Sequence, residues 1–161
     1  MTTIRPATPT DRPHIIRMRV ALQRHLETAN PRIWHITPQG QTHLEKEVDD
    51  LLKDEYTYIA EDATPVAYIH GNVTHRTHLT PTTVGHLNGI YVDPPHRRHG
   101  TATALIRTLL QTFQEQDATE VNLRYIIGNP EAENLWKKLG LTPIIITANT
   151  PLQEIQRKLN T

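Results

Sequence analysis

The residues best placed to do chemistry lie where a strand-like run, Leu87-Asn88-Gly89-Ile90-Tyr91-Val92, gives way to Asp93-Pro94-Pro95-His96-Arg97-Arg98-His99-Gly100-Thr101-Ala102 and then to a helical pattern. A strand that ends in a loop of arginines and a glycine, followed by a helix start, makes a cradle for an anion. The first helical N–H groups have no intrahelical partner and the positive end of the helix dipole is exposed. Gly100 removes a side chain where a ligand would approach the backbone, and Thr101, Ala102 and Thr103 keep the helix start uncrowded. A pyrophosphate would fit. A Walker loop would need a Gly-Lys pair and a dinucleotide fingerprint would need Gly-x-Gly-x-x-Gly, and the chain has neither.

The elements that must position this loop can be read from apolar periodicity. Ile4-Arg5-Pro6 ends a short strand, and Thr10 or Asp11 caps a helix carrying Ile15, Ile16, Val20, Leu22 and Leu26, closed by Asn30-Pro31. Leu44, Val48, Leu51 and Leu52 mark a second amphipathic helix over Gln39 to Lys53. Tyr56 to Glu61 and Val66 to Val73 read as a hairpin, Val84 to Val92 as the next strand, and Ala102 to Phe113 as a strong helix. Val121 to Ile127 reads as a strand, Pro130 to Leu139 as a short helix stopped by Gly140, and Pro143 to Thr147 as a further strand. Leu152 to Leu159 suits either a strand or a helix. The order implies an α+β fold with a mixed, mostly antiparallel sheet of six to seven strands flanked by about four helices. With no repeat or linker, residues 1–161 read as one domain.

Composition narrows the function classes. The 161 residues hold 17 basic and 17 acidic side chains, for a formal net charge of +0, which argues against a nucleic-acid binder or a polybasic membrane protein. Cysteine is absent, so disulfides, thiolate metal sites and cysteine nucleophiles are excluded. No apolar run approaches the roughly 20 residues of a membrane span, and the opening Met-Thr-Thr-Ile-Arg-Pro has no apolar signal core, so a cytoplasmic protein is expected. His70, His75, His78, His96 and His99 show no metal-site spacing, and no metal is expected.

Arg97-x-x-Gly100-x-Ala102 resembles the Arg/Gln-x-x-Gly-x-Gly/Ala signature of the GCN5-related N-acetyltransferases (GNAT superfamily). Asn129-Pro130-Glu131-Ala132-Glu133-Asn134-Leu135-Trp136-Lys137-Lys138-Leu139-Gly140-Leu141 resembles the family's Asn-x-x-Ala-x-x-Leu-Tyr-x-x-x-Gly-Phe element. Ile4-Arg5-Pro6-Ala7 with Asp11, and the hairpin Ala60 to Ala67, agree in register. The resemblance implies acetyl-CoA as acyl donor, with backbone groups of Ile90, Tyr91 and Val92 along its pantetheine arm. It likewise implies Arg97, Arg98, His99, Gly100, Thr101, Ala102 and Thr103 around the pyrophosphate, with Asn129 and Trp136 on the other side of the arm. The reaction implied is transfer of an acetyl group to a primary amine of a small molecule, or of a peptide or protein N-terminus, by direct attack in a ternary complex. Relatives often form dimers, and the C-terminal strand segment could pair across such an interface.

Two positions depart from the family pattern. Asn88 stands where many relatives carry a glutamate general base, and His86, two residues earlier, is the candidate replacement because imidazole exchanges a proton near neutrality. A histidine simply hydrogen-bonded within the sheet is the equal alternative. Trp136 stands where relatives often place a tyrosine that protonates the departing thiolate. A thiol of pKa about 8.5 leaves adequately without an acid, and Tyr125 is a further candidate acid. A weak base suits an α-amine better than a lysine amine, because more of the α-amine is neutral near pH 7. For the acceptor, the connection after the first helix offers Glu27, Asn30 and Trp34, as substrate contacts or as packing. A non-catalytic acyl-CoA-binding or regulatory module is the alternative reading.

Overall fold

The computed structural model describes residues 1–160. Along the chain run β1 (Thr3–Pro6), α1 (Arg12–Ala29), α2 (Gly40–Asp54), β2 (Tyr56–Asp62), β3 (Thr64–His75), β4 (Thr83–Val92), α3 (Thr101–Glu115), β5 (Glu120–Leu123), α4 (Pro130–Lys138) and α5 (Leu152–Leu159). The chain divides into two compact units, Met1–Asn129 and the segment from Pro130 onward. No helix among the described residues is long and apolar enough to cross a membrane.

The first unit is built on a five-stranded sheet in the order β1-β2-β3-β4-β5. Its first four strands pair antiparallel and β5 joins β4 in parallel, after the crossover through α3. Side chains alternate across β3, and the two faces have different covers. Tyr68 belongs to a buried cluster with Ile15 and Met18 of α1, Val48 and Leu51 of α2, Ile59 of β2 and Tyr91 of β4. On the opposite face, Gly71 and Gly85 leave room for the Phe113 ring of α3: a Cβ on Gly71 would stand 2.8 Å from Phe113 Cζ. The start of α1 is fixed by Arg5, which donates to both carboxylate oxygens of Asp11 at 2.9 Å and to Glu61 Oε2 at 2.9 Å. Asp11 is buried, and the Arg5 hydrogen bonds, opposed by that burial and aided by Thr8, lower its carboxyl from 3.8 to about 2.

Two irregularities shape β4. Its pairing with β3 passes from His70↔Gly89 to Gly71↔Leu87, so Asn88 is the extra residue of a bulge. Pairing with β5 covers only Val84 to Leu87. From Asn88 to Val92 the edge of β4 away from β3 therefore has no strand partner among the described residues.

The second unit contains α4 and α5. Trp136 is the buried residue of α4, and Gly140, with φ +84°, follows its C-terminus in the left-handed conformation that favours glycine. One sequence expectation is corrected here, and one left open is decided. Pro143–Thr147 is not a strand, although Ile144, Ile145 and Ile146 have high β-propensity, because a strand needs a partner ladder and the described residues of this unit contain none. Leu152–Leu159 is a helix, since Leu152, Ile155 and Leu159 fall on one helical stripe. Among the described residues the sheet thus has five strands rather than six to seven, with five α-helices against the expected number of about four. The mixed α+β architecture holds.

Candidate active site

The loop between β4 and α3 has the expected cradle shape. Arg98 and Gly100 take left-handed conformations, φ +61° and +82°, which turn the chain into α3. The requirement for Gly100 is conformational: a Cβ there would meet nothing within 4 Å, so the approach to the backbone is open. The first helical bond runs from the Ala104 N–H to the Gly100 carbonyl at 3.0 Å, leaving the amides of Thr101, Ala102 and Thr103 in the orphan positions of the helix start. Arg97 donates through Nε to the Val92 carbonyl at 2.9 Å and lies 5.7 Å from the Tyr91 ring centroid. Arg98 and His99 are exposed. Asp93 accepts a two-pronged bond from Arg17 of α1 at 2.9 and 2.8 Å, which anchors the front of the loop. Ile90 and Val92 continue the unpaired edge of β4 into this cradle, and the buried Tyr91 side chain is committed to the core.

The α1/α2 face of the sheet carries a second group of polar residues. His86 spends both ring nitrogens: Nδ1–H donates to Asn122 Oδ1 and Nε2 accepts from the Thr74 hydroxyl, each at 2.6 Å. The ring is held between β3 and β5, with no lone pair left for an incoming ligand. Asn88, by contrast, brings in a carboxylate from elsewhere. Its amide donates to Glu55 Oε2 at 3.0 Å and to Asn72 Oδ1 at 2.7 Å. The same Glu55 oxygen accepts from His70 Nδ1–H at 2.7 Å. Burial alone would push the Glu55 carboxyl up, but the bonds and charge from His70 and the Asn88 amide outweigh it and hold it below the usual carboxylate range. Reasoning along the sequence missed Glu55 and His70. A polar residue at the end of a helix and a histidine in a strand gave no sign that they meet.

The remaining expected residues take varied places. Glu27 accepts from the Ile36 N–H at 2.6 Å and from Gln23 Nε2 at 2.9 Å, tying down the connection after α1. Asn30 donates to the Ile127 carbonyl at 2.9 Å and accepts from the Arg32 N–H at 3.0 Å. Trp34 does not plug the core, being 80% exposed. Tyr125 is half-buried in the irregular segment just past β5, which ends at Leu123 rather than Ile127. Asn129 is buried at the end of the first unit, and Trp136 belongs to the second. Among the described residues no group of three or more His, Cys, Asp or Glu could hold a metal ion.

Comparison with known proteins adds a family and a fold. The sequence model of the acetyltransferase (GNAT) family matches residues 19–141, running from the first unit into the second. No curated protein matches the chain in sequence. Among solved structures, a predicted acetyltransferase from Clostridium acetobutylicum with acetyl-CoA is similar at TM-score 0.74 and 18% identity, over 96% of this chain and 98% of that one. An aminoglycoside antibiotic 6'-N-acetyltransferase from Acinetobacter haemolyticus is similar at TM-score 0.69 and 22% identity, over 92% and 97%. A transcriptional regulator from Bacillus halodurans is similar at TM-score 0.73 and 16% identity, over 94% and 100%. At these identities the likeness concerns the fold.

Proposed function

The chain belongs to the acetyltransferase (GNAT) family, and from that premise we propose that it is an acetyl-CoA-dependent N-acetyltransferase. Its acceptor is the primary amine of a small molecule or of a peptide or protein N-terminus, attacking directly in a ternary complex. The observation that carries the reading is the continuous track from the bulge at Asn88, down the unpaired edge of β4, to the left-handed turn at Gly100. That track spans five residues of strand from Asn88 to Val92, four steps or roughly 13 Å at an extended rise, and ends at a helix start suited to an anion. Acetyl-CoA would supply an acetyl thioester, an electrophile already activated. The chain would supply the rest. The backbone of Ile90 to Val92 aligns an extended arm as an added strand would. The amides of Thr101 to Thr103, with Arg97, Arg98 and His99, would hold the pyrophosphate. The backbone beside the bulge offers N–H groups where an oxyanion would develop. Asn129 and Trp136 remain proposed contacts to the arm, and Glu27, Asn30, Trp34 and Tyr125 proposed contacts to the acceptor. His86 remains a proposed base only if its two hydrogen bonds can open.

Calorimetric titration with CoA, followed by release of free CoA thiol from acetyl-CoA with a panel of amines, tests the reading. An α-amino peptide, a polyamine and an aminoglycoside cover the acceptor classes. We expect CoA binding and amine-dependent thiol release. Binding without release for any amine would instead favour a regulatory, non-catalytic module, the reading that the substitutions at Asn88 and Trp136 support.

A further inference from the structure

We propose that His70 of β3, oriented by Glu55, is the general base of this site, taking the place of the β4 glutamate that the family resemblance leads one to expect at Asn88. The inference rests on the N-acetyltransferase reading above. A carboxylate oxygen can only accept, so the 2.7 Å contact from His70 Nδ1 to Glu55 Oε2 puts a proton on Nδ1, and the neutral ring then carries its lone pair on Nε2. Nε2 has no hydrogen-bond partner among the described residues, in contrast to both nitrogens of His86. Its place is set by Gly89: a Cβ there would lie 2.5 Å from Nε2, so the ring reaches the β4 backbone only because residue 89 has no side chain. Gly89 is next to the bulge, where the track for the acyl donor begins. Tyr68 stacks on the imidazole with ring centroids 5.8 Å apart. Glu55 and Asn72 also line an open depression of about 450 Å³ with Lys53, Asp54 and Tyr56, so the carboxylate end of the pair reaches solvent.

Asn88 is thereby explained. An amide at this position donates to the Glu55 carboxylate at 3.0 Å, whereas a carboxylate side chain here would bring a second negative charge beside it. The carboxylate has moved from β4 to the junction of α2 and β2 and acts through an imidazole. When an amine attacks the thioester carbonyl, the C–N bond forms, the C–S bond breaks with its electron pair on sulfur, and the surplus N–H proton passes to His70 Nε2. The titratable and charged groups about this face are Glu55 from the α2–β2 junction, Tyr68 on β3, Tyr91 and His86 on β4, Arg19 from α1 and Glu47 from α2. Burial pushes the Tyr68 phenol well up, so it stays neutral through the working range.

Two measurements test the assignment. Nitrogen-15 NMR of the histidine rings in the wild-type protein should show His70 with its proton on Nδ1 and a bare Nε2 at neutral pH. The opposite tautomer would overturn the proposal, whatever any variant does. In the amine assay, His70→Gln should keep CoA affinity within two-fold, lose turnover by about 100-fold or more, and lose the acidic limb of the pH profile. Glu55→Gln, a change to a positioning residue, should cost less and move that limb to lower pH, because a neutral amide no longer favours the protonated ring. A folded His70→Gln protein with the wild-type rate and profile sinks the base assignment alone. A wild-type protein that binds CoA and turns over no amine sinks the enzyme reading and the base with it.

Discussion

The cradle between β4 and α3 and the polar cluster on the α1/α2 face are two parts of one candidate site, built in opposite ways. The cradle is contiguous: Arg97 to Thr103 bend through two left-handed residues and present backbone N–H groups. The cluster is assembled from Glu55, His70 and Asn88, each from a different stretch of chain, and its working parts are side chains. A backbone device tolerates most substitutions that preserve its turn. A side-chain device can be relocated, provided some neighbour supplies the missing group. In this chain the cradle is a run of backbone groups, while the cluster is centred on an asparagine amide that donates to a carboxylate from another element.

That contrast can be broken from either side. The largest effect is expected for Gly89→Ala, whose methyl would lie 2.5 Å from His70 Nε2 and push the ring off the bulge. Turnover should fall on the order of 100-fold while CoA affinity, read by calorimetry, stays within about two-fold. Equal losses in both would mean that cradle and cluster are not separable.

Next in size is an effect on the scaffold, which bounds the pH range over which the cluster can be compared. The folded Asp11 carboxyl, held at about 2, lies below its ordinary 3.8, so its stabilising contribution is complete above roughly pH 4 and is lost as pH falls through about 2. The contribution is about 2 kcal/mol. Denaturant titrations should show it vanish over that window in the wild type and be absent at every pH in Asp11→Asn.

A smaller loss is expected from Gly100→Ala, which forces a Cβ into a φ of +82° at a cost of about 1–2 kcal/mol. CoA should bind roughly five- to thirty-fold more weakly, with the His70 tautomer unchanged. Arg17→Met, which frees Asp93 from its two-pronged anchor, should weaken CoA by only a few-fold, as suits a half-exposed ion pair.

The same contrast decides what could be read from the sequence. The loop at Arg97 to Ala102 was legible because all its parts lie within one short segment, and the antiparallel run followed by a β-α-β crossover gave the mixed sheet. Glu55 and His70 were not, because their meeting depends on the β2–β3 and β3–β4 registers and on a bulge that no residue type announces. His86 could be read as a candidate base or as a histidine hydrogen-bonded within the sheet, but its commitment to Thr74 and Asn122 needed the positions of two further strands. Glu27 and Asn30 attracted notice as polar residues in a connection, and both brace it. Pro143–Thr147 shows the limit of propensity: three isoleucines do not make a strand without a ladder to join.

The extra residue at Asn88 also shifts the phase of β4. Before it, even-numbered positions such as His86 look toward α1 and α2 while odd-numbered Gly85 looks toward Phe113; after it, odd-numbered Gly89 and Tyr91 take the α1 and α2 side. One strand thus carries two alternation codes. Its first half is locked to β5 with its polar side chain satisfied, and its second half turns a glycine toward His70 and an open edge toward whatever lies alongside. Deleting one residue there would swap inside for outside along half the strand without changing any residue type in it.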